Sequence, residues 1–112
     1  MTGPIFDTHA HYSAHAFDAD RFALLDSLPA KGVVGVCEQA THSGDAPRVL
    51  ELAHRYPWVV AAIGIHPESL LAPEDCGAEG PAPTVSVYGG DWAAEMRALA
   101  PYYDDPKVVA VG

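Results

Sequence analysis

Three short apolar runs constrain the fold more than any other feature. Residues 33–37 (Val-Val-Gly-Val-Cys), 58–65 (Trp-Val-Val-Ala-Ala-Ile-Gly-Ile) and 108–112 (Val-Val-Ala-Val-Gly) are almost unbroken in apolar residues. Runs of this kind read as strands covered on both faces, the condition of parallel sheets whose connecting helices pack on the sheet. Helix-period segments lie between them. Asp18 is placed to cap a helix over 19–28, with Phe22, Leu25 and Leu28 as its apolar stripe and Pro29 and Gly32 ending it. Asp45 is placed to cap a second, with Pro47 in the first turn, Val49, Leu50 and Ala53 on the buried face, and Pro57 closing it. Asp91 opens a third over 92–99, with Met96 and Leu99 on the side of Trp92. A first strand over 4–9 precedes all of these. Alternating strands and helices imply an α/β domain over 1–112 with parallel strands and right-handed crossovers.

Residues 68–90 break this rhythm. Prolines 73, 81 and 83 and several glycines leave room for at most a short strand over 84–88. A segment of this length reads as a loop insertion or lid. No run reaches the roughly 18 apolar residues of a membrane helix, and Met1–Phe6 lacks the cationic and apolar regions of a signal peptide. The expectation is a soluble, cytoplasmic protein without a membrane partner. Cys37 and Cys76 fit no C-x-x-C pattern and read as buried structural thiols. The net charge of −9, with no cluster of Lys or Arg, gives nucleic acid no electrostatic attraction. An anionic substrate would need a bound metal to supply local positive charge. No G-x-S-x-G elbow, phosphate loop or G-x-G-x-x-G occurs, so serine-hydrolase and nucleotide readings lack support.

The chemistry concentrates around His9 and His11. On a regular strand Ile5, Asp7, His9 and His11 share one face, and Phe6, Thr8 and Ala10 the other. Two imidazoles in H-x-H spacing at a strand end can offer two nitrogen ligands to a divalent ion; the alternative is a polar loop pair. His66 closes the third strand, and in a parallel sheet it shares the active rim with His9 and His11; the alternative is a capping residue. Asp7 can orient a ligand imidazole as an outer-shell carboxylate, or simply bond backbone. Glu38, following the second strand, can reach the same rim. His15 and His42 read as solvated loop residues, and His54 as a cation suited to a helix C-terminus.

These residues resemble a known family. Phe6-Asp7-Thr8-His9-Ala10-His11-Tyr12, Phe17, Asp20-Arg21, Leu52-Ala53 through Tyr56-Pro57, and Ala62-Ile63-Gly64-Ile65-His66-Pro67 look like the start of a TatD-type metal-dependent hydrolase. The resemblance covers nearly the whole chain and is weakest over 72–90. It implies the N-terminal half of a (β/α)8 TIM barrel of the amidohydrolase-like superfamily, acting as a deoxyribonuclease on phosphodiester bonds. It further implies divalent metal (Mg, Mn or Zn) on His9 and His11, His66 near the substrate phosphate, and DNA or another phosphodiester as partner. The family pattern continues beyond Val-x-Val-Gly with a metal-bridging Glu, then two histidines and an aspartate. This sequence ends at Gly112, so an incomplete site with weak metal binding is expected, its catalytic residues unidentified. Ser13 and Ala14 stand where the family is often acidic. Two other readings are a shortened non-catalytic binding or oligomerisation module, and a barrel amidohydrolase cutting C–N or ester bonds. A half barrel would also carry open apolar edges, which predicts self-association.

Overall fold

The computed structural model describes residues 3–70, 88 and 91–112. Its centre is a four-stranded sheet in the order β1-β2-β3-β4, with every neighbouring pair parallel. The strands are β1 (Ile5–Ala10), β2 (Val33–Gln39), β3 (Val59–Ile63) and β4 (Val108–Val111). Sequential order with helical crossovers is the pattern of a (β/α) barrel wall, not of a doubly wound sheet.

The connections follow the expected chemistry, with local differences. Helix α1 (Arg21–Ser27) is shorter than the apolar stripe suggested, and Asp20 occupies its N-cap position. Asp18 does not cap it, because its carboxylate is taken by Arg21 and Arg48. A 3-10 turn (Pro29–Lys31) follows and ends on Gly32, whose φ of 92° is a left-handed conformation that favours glycine. Helix α2 (Ala46–Arg55) starts after Asp45, with Pro47 in its first turn. Asp45 has no side-chain bond to the helix; it holds the preceding loop instead, accepting from the Thr41 and His42 amides and the Thr41 hydroxyl. Helix α3 (Trp92–Leu99) is capped by Asp91, whose Oδ1 accepts from the Ala94 amide.

The core lies between one face of the sheet and the helices. Val36, Ala40, Val59, Ala61 and Ile63 meet Leu25, Leu28, Val49, Leu50, Ala53 and Leu99 there. Phe22 stays outside this core and carries the Arg55 guanidinium 3.9 Å above its ring, so the α1 stripe reduces to Leu25 and Leu28. The buried face of α3 is also rotated from expectation. Trp92 and Met96 are exposed, while Leu99 and Glu95 are buried, because Glu95 accepts a hydrogen bond from the Ser43 amide across the molecule. Cys37 is buried and free, and burial pushes its thiol up. Cys76, the possible strand over 84–88 and most of the 68–90 insertion lie outside the described residues. Among the described residues no helix is long and apolar enough to cross a membrane.

Candidate metal centre

Strand β1 is not a regular ribbon. Its register against β2 shifts between Asp7 and Ala10. Phe6 lies over Gly35, on the side away from the core residue Val36, whereas Ala10 is part of the helix-side core. The strict alternation expected for Phe6, Thr8 and Ala10 is therefore broken, as an irregularity in a strand requires. The two histidines at the end of the strand nevertheless converge. Their Nε2 atoms are 3.2 Å apart, with the rings at 73°. Two nitrogens on one ion at about 2.1 Å are about 3.0 Å apart at a right angle and about 3.4 Å apart at the tetrahedral angle. The separation falls between these limits, and both side chains are exposed at the C-terminal rim, so His9 and His11 fit a divalent ion as a ligand pair. Among the described residues no third His, Cys, Asp or Glu gathers with them into a metal-sized group.

Asp7 lies two residues before His9, and its Oδ1 accepts from the His9 amide at 3.1 Å. It thus acts on the backbone of the first histidine. His66 follows β3, is exposed, and is tied down by its amide, which donates to the Thr41 carbonyl at 2.7 Å. It sits two strands from His9, about 10 Å along the rim at ordinary strand spacing.

Glu38 is not in a loop. It belongs to β2, opposite Ala10 in register, and is fully buried. Its Oε1 accepts from the Ser13 amide at 2.7 Å, while Oε2 is buried without a partner. Burial pushes its carboxyl up, opposed by the hydrogen bonds from Ser13 and Tyr12. Arg21 is the residue that spacing alone did not single out. It donates to the carbonyls of Tyr12, Ser13 and Ala14 at 2.6, 3.1 and 2.7 Å, and to Asp18 Oδ1. The only hint of it in the sequence was its place in the Asp20-Arg21 pair. The Arg21 hydrogen bond, with that of His15, holds the Asp18 carboxyl down to about 2.

The other histidines divide. His15 is solvated, with Nδ1 3.0 Å from Asp18 Oδ2. His54 pairs with Asp105 at 2.6 Å. His42 is buried, contrary to expectation, because its Nδ1 accepts from the Gly44 amide inside the turn that Asp45 holds.

The sequence profile of TatD-related DNases matches residues 6–112. The chain belongs to the TatD-related DNase family. It is 36% identical over 72 residues to the human protein named deoxyribonuclease TATDN3, covering 63% of this chain and 26% of that one. It is 27% identical over 108 residues to the 3'-5' ssDNA/RNA exonuclease TatD of Cronobacter turicensis, covering 96% of this chain and 34% of that one. The crystal structure of YjjV, a TatD homologue from Escherichia coli K12, superposes with a TM-score of 0.70 at 28% identity, over 96% of this chain and 36% of that one. This TatD-family chain therefore spans about a quarter to a third of the length of these relatives, and its four parallel strands form one sector of their TIM barrel.

Proposed function

We propose that this chain supplies the first metal-binding corner of a divalent-metal-dependent hydrolase that cuts phosphodiester bonds in nucleic acid. The observation that carries this reading is the 3.2 Å approach of the His9 and His11 Nε2 atoms at the rim. The relatives' names, deoxyribonuclease and ssDNA/RNA exonuclease, supply the substrate class. A bound divalent ion would polarise a phosphoryl oxygen and lower the pKa of water so that it attacks at neutral pH. His9 and His11 hold the ligand pair, Asp7 fixes the backbone that carries His9, and His66 presents a polar tip to the substrate phosphate. With a net charge of −9, the chain has no general field to attract that phosphate, so the attraction is local to the ion. The domain over 1–112, with its 68–90 insertion, is the N-terminal part of the enzyme in this reading.

The test uses the complete natural polypeptide. Calorimetric titration with Mn²⁺ should show saturable binding, and single-stranded DNA should be cleaved in its presence. His9→Ala/His11→Ala should weaken the ion by more than the roughly 100-fold that loss of an outer-shell partner costs, and abolish cleavage. Unchanged Mn²⁺ affinity in the double variant would overturn the site. Turnover of amide or ester substrates but not of DNA would overturn the phosphodiester assignment.

A further inference from the structure

We infer that Arg21 and Glu38 form a two-sided clamp on the loop after His11, and that they are positioning residues for the His9–His11 pair; this rests on the metal reading above. The loop is gripped on its two opposite polar sides. From β2, the Glu38 carboxylate takes the Ser13 N–H at 2.7 Å. From α1, the single guanidinium of Arg21 takes three successive carbonyls, those of Tyr12, Ser13 and Ala14. The turn then closes on the ligand itself, because the Ala14 amide donates to the His11 carbonyl at 3.0 Å. Glu38 also lies opposite Ala10 in register, between the two histidines in sequence.

Both clamping groups are costly where they stand. The Arg21 side chain is 11% exposed, and Glu38 is fully buried with one oxygen unpartnered. An unsatisfied buried oxygen calls for a role. A loop held this way keeps the His11 backbone fixed before any ion arrives, which is what a pair of ligands from a short, irregular strand needs. The fork of Arg21 matters as well as its charge: it serves four acceptors, the Tyr12 carbonyl from Nε and the Ser13 and Ala14 carbonyls and Asp18 Oδ1 from Nη2, whereas an ammonium offers three N–H donors from one atom.

Mn²⁺ affinity and amide exchange in the complete natural polypeptide test the clamp. Arg21→Lys and Glu38→Ala should each weaken Mn²⁺ about 10- to 100-fold, as removal of an outer-shell partner does, and speed amide exchange over 11–14. Glu38→Gln, which keeps an oxygen for the Ser13 N–H, should restore most of the affinity. Arg55→Lys, which alters the stacks on Phe22 and Tyr56 and none of the clamp's hydrogen bonds, should leave it unchanged. Folded Arg21→Lys or Glu38→Ala protein with wild-type affinity overturns the clamp, as does an equal loss in Arg55→Lys. If the clamp variants do not fold, exchange in the wild type decides: protection of 11–14 that is the same with and without Mn²⁺ supports the clamp, and protection that arises only with Mn²⁺ overturns it. If the wild type binds no Mn²⁺, or the His9→Ala/His11→Ala variant binds it equally well, the metal reading itself fails and takes the clamp's role with it.

Discussion

Glu38 shows how far a single residue's surroundings depart from what its neighbours in sequence suggest. Beside Cys37 and Gln39 it looks like the start of a polar loop, yet it lies in β2 and is fully buried. Its depth depends on Ser13, 25 residues away, folding over it, and on Arg21 holding that loop down. His42 was hidden in the same way, by a turn that Asp45, just before α2, and Glu95, in α3, secure from two sides. The His9–His11 pair was legible because H-x-H spacing at a strand end limits where two rings can go, whereas the grip of Arg21 and Glu38 on the loop after His11 leaves no such spacing in the sequence. Glu38 also gives a pH signature. Burial raises its folded-state pKa above the ordinary 4.5, so its contribution to stability is full below that value and is lost as pH rises through the raised one. Glu38→Gln has no charge to desolvate. The stability of Glu38→Gln relative to wild type should therefore increase from about pH 4 to about pH 8, as read by urea unfolding. A flat difference across that range would mean that Glu38 ionises freely in the folded protein.

At the scale of elements, the apolar runs and breakers placed the four strands and three α-helices of the described residues in the right order, and the differences lie at their ends and in the buried face of α3. Asp18, Asp45 and Asp91 look alike as sequence signals, an Asp just before an apolar stripe. Only Asp91 bonds the amide of its own helix. Asp18 is captured by Arg21 and Arg48, and Asp45 by Thr41 and His42. Which amide an aspartate meets depends on the loop before it, and that is not written in helix period. The difference is measurable. Asp91→Ala should cost about 1 kcal/mol, the loss of one cap. Asp45→Ala leaves two amides without their partner and should cost about 1–3 kcal/mol. Because the Thr41 carbonyl holds the His66 amide, Asp45→Ala should also shift the His66 resonances, and Asp91→Ala should not. Gly64 is a second test at this scale. A Cβ there would run into the backbone carbonyl of Gly112, which cannot rotate away as a side chain would. Gly64→Ala should lose about 1–3 kcal/mol by overpacking, seen as a lower urea midpoint with an unchanged slope; wild-type stability would show that the end of β4 yields.

Among the described residues, the sheet packs its core against helices on one face. Val36, Val59 and Ala61 look toward the helices, while Phe6, Val109 and Val111 are exposed, the last to 77%. In the YjjV barrel, of which this chain matches 36%, further chain is available to close the wall. β1 and β4 are the outer strands of the described sheet, each with a neighbour on one side only. An open parallel edge beside exposed apolar side chains is a template for pairing with another chain, and burying each large apolar side chain is worth about 1.5–3 kcal/mol. The 112-residue chain taken by itself should therefore self-associate. Sedimentation velocity should show species larger than 11.8 kDa that grow with concentration. Val109→Lys/Val111→Lys places two charges on the exposed outer strand β4, far from His9 and His11 in sequence and with no part in the buried core. It should shift the distribution toward monomer without lowering helix content by circular dichroism. If the unmodified chain is a monodisperse monomer that melts cooperatively, the outer strands and their exposed apolar side chains are stable in water, and the closing strands of the relatives' barrel serve the site more than the wall.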